Sequence, residues 1–452
     1  QREPNMQPFE IMTSESQERM LAIIEPSSWD AVKSLCDRWE VRATVVGRVT
    51  DPVVTADGTS VGMLRVRRGF DGEILAEVPA ASLADDAPLY DRPRLRPTDL
   101  DAVQAQNPTN LVPNDITHDV LELLVDPAWV YRQYDSQLFL NTVVGPGRDA
   151  ALLRLAGPGL PASQRGVALS TDSNPRWCAL DPRAGSAWTI AEGVANLACV
   201  GATPAAVVNC LNFGNPEHPE VMWQLSESVD GMSDACRALD LPVIGGNVSL
   251  YNESGGRDID PTPTIGLLGL VETLVAPPPG WTWSEGDTIV IVGDRPTPNV
   301  SGGRWATSKG HRGGTVTPFT GESFARTAEF VAGEIAWICG GSPSDVVAVH
   351  DVSGGGVAQA ILEMASASEC GIESNVTMTS AEMLTETPGR FVLATKNLDA
   401  LRDRAERAGV AILELGVARG ARVVLGSSVA ASLDEVKYHR RDALERRLRA
   451  AG

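Results

Sequence analysis

The spacing of apolar and polar positions changes period several times along the chain, and each change marks an element. From residue 16 it predicts a helical turn at Ser16–Arg19, a strand over Met20-Leu21-Ala22-Ile23-Ile24, a helix from about Trp29 to Trp39, and a strand over Ala43-Thr44-Val45-Val46-Gly47. The same order returns between Thr387 and Val417, at an offset of about 371 residues: Arg390 answers Arg19, Phe391-Val392-Leu393 the first strand, Leu398 to Gly409 the helix, and Ala411 to Gly416 the second strand. Two unrelated βαβ units would look alike too, because the shared Arg and Gly positions are few. A true duplication at this period predicts repeated domains rather than a solenoid.

Between the copies, residues 91 to 117 carry Pro93, Pro97, Pro108 and Pro113 among Asp and Asn, the composition of a linker. Strand patterning resumes from Gln137 to Leu155, and strands alternate with helices from Ala191 to Leu270. A second boundary is expected near Ala276 to Gly280, where Pro277-Pro278-Pro279-Gly280 interrupts the pattern. The resulting class is α/β (α+β).

Composition narrows the function classes. A chain of 452 residues exceeds one ordinary core, and 43% hydrophobic with 21% charged residues is a globular balance. With 58 acidic against 38 basic residues the net charge is -20, which argues against nucleic acid or anionic membrane as partners. The seven cysteines form no CxxC pair and read as reduced thiols, and no signal peptide or apolar span is present, so a cytoplasmic location is expected. The first residue is Gln1 rather than methionine, and the loop-like Arg2-Glu3-Pro4-Asn5 leads us to expect a chain that starts inside a domain.

Several runs carry candidate chemistry. In Leu241-Pro242-Val243-Ile244-Gly245-Gly246-Asn247-Val248-Ser249, a buried strand is expected to end at two glycines that admit a ligand to the backbone. Asn247 can offer its carbonyl oxygen to a hard cation such as magnesium, and Ser249 can donate to a phosphate or a carbonyl. A plain strand-to-turn exit fits equally well. Val207-Val208-Asn209-Cys210-Leu211-Asn212-Phe213-Gly214 repeats that grammar. Thr171 to Arg176, followed by a helix over Ala187 to Ala198, offers a helix N-terminus to an anion or merely a cap. His350-Asp351-Val352-Ser353-Gly354-Gly355-Gly356 joins a strand to a helix, where glycines either cradle phosphate or allow close packing. A role for His350 as a catalytic base is the less expected reading. Walker, Rossmann, HExxH and nucleophile-elbow signatures are absent.

Taken in order, Arg2-Glu3-Pro4-Asn5-Met6, Ser14-Glu15-Ser16-Gln17-Glu18-Arg19-Met20, Cys210 to Pro216, Gly245 to Glu253, Pro261 to Gly266 and His350 to Gly356 resemble the small form of formylglycinamidine ribonucleotide synthetase, within the aminoimidazole ribonucleotide synthetase superfamily. The resemblance implies a duplicated architecture: residues 1–118 as the rest of a first C-terminal-type domain with linker, 119–275 as a second nucleotide-binding N-terminal-type domain, and 276–452 as a second C-terminal-type domain. It implies ATP and Mg2+ as cofactors and a ligase of purine biosynthesis that converts formylglycinamide ribonucleotide and ammonia to formylglycinamidine ribonucleotide. The ammonia comes from glutamine through a glutaminase subunit held by a small bridging subunit.

By motif, Glu15, Ser16, Gln17 and Ser249 would contact the ribonucleotide, Asn209 and Gly246 the ATP, and Asn247 the metal. Asn209 stands where the family has an aspartate, so it brings no charge for metal. The Ser301 to Gly314 segment departs from the family pattern. The family's catalytic histidine lies in a domain that precedes these residues, which makes this a partial enzyme, expected to be inactive alone. The alternatives are another superfamily enzyme, such as a selenophosphate synthetase or thiamin-phosphate kinase, and a non-catalytic nucleotide-binding scaffold.

Overall fold

The computed structural model describes residues 5–14, 19–157, 159, 161, 163–374, 376–441 and 443–451. Internal contacts divide the chain into two compact units, residues 1–91 and 92–452.

The first unit holds helices α1 (Pro8–Thr13) and α2 (Trp29–Arg38) and two antiparallel hairpins, β1 (Val53–Val54) with β2 (Ser60–Val61) and β3 (Met63–Arg67) with β4 (Ile74–Pro79). The helix expected from Trp29 is present. The strands expected at 20–24 and 43–47 are not: both stretches are irregular, with Met20 97% and Leu21 83% exposed. An isolated strand leaves its ladder groups unpaired, so apolar alternation alone does not create one.

In the second unit, short helices α3 (Leu100–Gln104), α4 (Thr117–Leu123) and α5 (Ala128–Tyr131) precede the first large sheet. Its elements in chain order are β5 (Thr142–Val144), β6 (Ala151–Arg154), β7 (Gly166–Ser173), α6 (Pro175–Leu180), α7 (Pro182–Ala198), β8 (Thr203–Asn212), α8 (Pro219–Ala238), β9 (Val243–Ser249), the hairpin β10 (Glu253–Ser254) and β11 (Arg257–Asp258), and β12 (Thr262–Val271). The sheet order is β5-β6-β7-β12-β8-β9, and only the β8–β9 pair is parallel.

β12 alternates strictly between part-buried and buried positions, as one covered and one open face require. The covered face packs on α7, which is buried nearly all round because α8 and α10 close its other sides. Asp181 caps α7 by accepting from the Ala184 N–H at 2.9 Å, with Pro182 at the first helical position.

The second sheet follows: β13 (Thr288–Val292), α9 (Arg304–Ser308), α10 (Gly321–Cys339), β14 (Val346–Asp351), α11 (Gly356–Ser368), β15 (Ile372–Ser374), α12 (Ser380–Met383), β16 (Phe391–Thr395), α13 (Leu398–Arg407), β17 (Ile412–Ala418), β18 (Arg422–Leu425), β19 (Val429–Ser432), α14 (Leu433–Arg440) and α15 (Ala443–Ala451). Its order is β14-β16-β13-β17-β15-β18-β19. β16 is buried along its whole length because α10 and α13 cover one face and α4, α11 and α14 the other. Here the later copy of the repeat is complete: β16, α13 and β17 occupy the expected positions, and β13 supplies the ladder between the two strands.

Candidate functional site

Two regions of the second unit gather chemistry. The first is the outer edge of the first sheet. β8 and β9 pair in register Asn209↔Gly246, Cys210↔Asn247 and Asn212↔Ser249. Both strands run on through the residues expected to lie beyond their ends, and β9 is exposed along nearly all its length rather than buried. Paired residues share a face and neighbours alternate, so Asn209 with Gly246 lies on one face, Asn247 with Ser249 on the other.

Gly246 is where contact is closest. A Cβ there would stand 2.2 Å from Asn209 Oδ1, so the bare backbone lets the amide lie across β9. On the opposite face, Asn247 Nδ2 donates to Ser249 Oγ at 3.1 Å and approaches Cys210 Sγ at 3.9 Å, so the amide nitrogen is the end of the side chain that is engaged. Asn252 ties the two strand ends by donating to the carbonyls of Phe213 and Ser249 at 3.0 and 2.9 Å. Magnesium usually takes one or two carboxylates together with phosphate oxygens. Asn247 fits as one neutral oxygen ligand, and neither paired strand offers a carboxylate beside it. A ligand that meets both pairs must straddle the edge strand. Glu15, Ser16 and Gln17 lie outside the described residues.

The second region was not anticipated from sequence. His350, at the end of β14 and 6% exposed, is enclosed by carboxylates from β14 itself, from α11 and from the bend before β6. Its Nδ1 stands 2.5 Å from Asp149 Oδ1 and 3.3 Å from Asp351 Oδ1, and its Nε2 stands 3.1 Å from Glu363 Oε2. Trp281 stacks on the imidazole with centroids 4.1 Å apart and donates its indole N–H to Asp149 Oδ2 at 2.8 Å. Arg148 covers the far face of that indole at 4.6 Å. Asp149 and His350 form a close buried ion pair although neither of the two facing atoms completes a hydrogen bond, and one ligand atom each from Asp149, His350 and Asp351 lie within 4.8 Å of one another, a spacing that could hold a metal ion.

Burial alone would neutralise His350, but Asp149, Asp351 and Glu363 outweigh it and hold the imidazole protonated well above its ordinary range. Burial likewise pushes Asp149 and Glu363 up, and the facing imidazolium more than reverses this for both. Two further carboxyls are less well compensated. Burial, then the charge of Asp351, raises Asp172 on β7 to about 7, and burial, then Asp172 and Asp351, raises Glu192 on α7 well above its usual range. Asp172 Oδ1 accepts from Asn196 Nδ2 at 2.8 Å, whereas Asp172 Oδ2 and Asp351 Oδ2 are buried with no hydrogen-bond partner among the described residues. Gly193 permits this crowding, since a Cβ on it would lie 3.1 Å from Asp172 Oδ2.

The glycines after His350 pack rather than cradle an anion. Gly355 and Gly356 adopt φ of 90° and 70°, and the Gly355 N–H is taken by Glu386 Oε1 at 2.8 Å. A Cβ on Gly356 would lie 2.3 Å from the Met383 carbonyl oxygen. The atypical Ser301 to Gly314 segment turns into α9 and locks it to α4, where Asp119 accepts from Trp305 Nε1 at 2.8 Å and from Lys309 Nζ at 2.5 Å.

Comparison with known proteins bears on the fold. The AIR synthase related protein N-terminal domain matches residues 147–271, and the corresponding C-terminal domain matches residues 1–57 and 284–425. The two stretches of the C-terminal match contain the two copies of the sequence repeat. Phosphoribosylformylglycinamidine synthase subunit PurL of Parafrankia sp. (strain EAN1pec) is 39% identical over 466 residues, covering 98% of this chain and 57% of the relative. Thermotoga maritima PurL complexed with ATP superposes with a TM-score of 0.56 at 22% identity, over 93% of this chain and 58% of that one. The same protein complexed with FGAR gives 0.55, again at 22%, over 93% and 56%. At that identity the likeness shows the fold. The chain spans a little over half the length of the curated relatives it matches. No helix among the described residues is long and apolar enough to cross a membrane.

Proposed function

Because the chain belongs to the AIR synthase related family, we propose that it forms the later part of an ATP-dependent carbon–nitrogen ligase, phosphoribosylformylglycinamidine synthase, and supplies one side of its nucleotide and substrate site. The observation that carries this reading is the β8–β9 edge, where Asn209 lies across Gly246 on one face and Asn247 is braced by Ser249 on the other. In the reaction, ATP phosphorylates the amide oxygen of formylglycinamide ribonucleotide, and ammonia adds at that carbon and displaces phosphate. Gly246 lets nucleotide approach the backbone, Asn209 hydrogen-bonds it, and Ser249 donates to the ribonucleotide; contact of Glu15, Ser16 and Gln17 with the ribonucleotide is assigned from the family resemblance alone. Asn247 offers its carbonyl oxygen to magnesium. Bound magnesium would neutralise phosphate charge as it develops.

The three-part division at residues 118 and 275, a cytoplasmic setting, and assembly with a glutaminase and a small bridging subunit complete the reading. β9 presents unpaired backbone along its outer side and exposes Val243, Ile244 and Val248 at 53%, 66% and 55%. Such an edge calls for cover, and we assign it to the further length that the relatives possess. The scaffold alternative predicts nucleotide binding without turnover when the complete ligase is assembled.

Gly246→Val tests the site. The added side chain displaces Asn209 Oδ1 and obstructs the backbone, but its Cβ also stands 2.9 Å from the Asn209 carbonyl oxygen, so Asn209→Ala, which leaves both backbones as they are, is measured beside it. ATP affinity, measured by titration in the presence of magnesium, should fall at least tenfold in both, about 1.4 kcal/mol, with little change in the melting temperature of Asn209→Ala. Unchanged affinity removes the edge from consideration.

A further inference from the structure

The parallel strands of the first sheet, β8 and β9, end side by side, and the chain that leaves them is braced. Phe213, fully buried, donates its N–H to the Ser249 carbonyl at 3.0 Å, and the Tyr251 N–H donates to the Gly214 carbonyl at 2.8 Å. The Asn252 N–H donates to the Phe213 carbonyl at 3.1 Å. After β8, the Asn215 N–H donates to Asp258 Oδ1 at 2.7 Å and the Glu217 N–H to Asn215 Oδ1 at 2.9 Å, so the loop that carries Glu217 is held against the β10–β11 hairpin. Ligands of α/β sheets gather beyond the carboxyl ends of parallel strands.

Tyr251 stands in this mouth in a conformation that tyrosine disfavours. Its φ is 61°, in the left-handed region where a Cβ crowds the following carbonyl oxygen. Glycine adopts that region freely, and the same stretch uses it: the β10–β11 turn is Gly255-Gly256, at φ of 59° and 74°. Packing does not account for the tyrosine, which is 56% exposed. Its hydroxyl donates to Glu217 Oε1 at 3.3 Å, beyond the end of β8, while its backbone lies beyond the end of β9, so the phenol ring spans the ends of both strands. Strained residues held by an over-determined backbone gather at ligand sites.

We propose that Tyr251 is a further binding residue of this site, whose ring walls the mouth and packs on the pentose of the ribonucleotide that meets Ser249, two residues earlier. Formylglycinamide ribonucleotide carries no base, so its pentose is the one ring it can lay against an aromatic face. The inference rests on the β8–β9 reading and adds a contact that leaves ATP alone, because Asn209 and Gly246 lie on the opposite face from Ser249.

Titration of the whole chain with formylglycinamide ribonucleotide, and separately with ATP and magnesium, tests it. Tyr251→Gly and Tyr251→Asn remove the ring, and both residues tolerate the left-handed backbone. Each should bind the ribonucleotide about tenfold or more weakly, bind ATP as the parent does, and melt as the parent does, since relieved strain offsets the lost contact with Glu217. Tyr251→Phe keeps the ring and loses only the hydroxyl, so its ribonucleotide affinity should stay within about threefold of the parent's. Parent-like ribonucleotide affinity in Tyr251→Gly and Tyr251→Asn overturns the proposal and leaves the β8–β9 reading in place. So does a loss in Tyr251→Phe as large as in Tyr251→Gly, or a melting temperature several degrees lower in both ring-less variants. A parent that binds no ribonucleotide at about 10 mM overturns the β8–β9 reading itself, and this inference with it.

Discussion

His350→Ala is expected to lose about 3–5 kcal/mol of folding stability, because removing one partner from a buried ion pair leaves the others charged and uncompensated. Asp149 and Glu363 would keep their negative charge inside the protein with no imidazolium between them. The vacated stack against Trp281 adds a cavity. The parent's pH dependence follows from the directions of the shifts. The raised pKa of His350 gives stability that is complete below its ordinary 6.5 and lost only as pH rises through the elevated folded value. Asp149 and Glu363 are held low, so their contribution is present above their ordinary 3.8 and 4.5 and disappears as pH falls through the lowered values. Denaturant unfolding at pH 7 measures the loss, and a change below about 1 kcal/mol would mean that the contact is worth no more than a surface pair.

Asp172→Asn should act in the opposite direction and stabilise the protein at pH 8. Asp172 is raised from 3.8 to about 7, so ionising it in the folded state opposes folding by roughly 4 kcal/mol, at about 1.36 kcal/mol per unit. The sign is that of a raised acid: its penalty is absent below pH 3.8, grows as pH rises from there, and is complete above about 7. Asparagine keeps the oxygen that accepts from Asn196 and removes the charge facing Asp351. Parent and variant should therefore converge near pH 4 and separate as pH rises, in unfolding curves taken at both values. A variant less stable than the parent at pH 8 would show that the carboxylate is compensated by groups other than those described. A buried acid retained at such a cost is the usual mark of a site kept for function.

Legibility in the sequence depended on how local each cause was. The apolar stretch of α7 could be read from Ala187 to Ala198, whereas its start at Pro182, capped by Asp181, was not. The later βαβ copy could be read because β13 completes its ladder, whereas the similar pattern at 20–24 gave no strand where pairing was absent. Glycines at 245 and 246 looked like a strand end, but β9 continues through them, since its exposed edge demands no side-chain packing. Asn209, Gly246, Asn247 and Ser249 were each named in advance; their pairing and their opposite faces follow from register, which no single strand carries. The histidine cluster stayed hidden because Asp149, Asp172, Glu192 and Glu363 reach His350 and Asp351 through tertiary packing. The one local clue was an acidic neighbour, Asp351, beside a histidine at the end of an apolar strand.

The most direct test of the central claim is amide hydrogen exchange of the whole chain with and without ATP and magnesium, resolved by peptide. We expect new protection in the peptides spanning Thr203–Asn212 and Val243–Ser249, absent in Gly246→Val under the same conditions. Protection confined to other segments, or none at nucleotide concentrations of about 10 mM, would contradict the assignment of the β8–β9 edge as the nucleotide site.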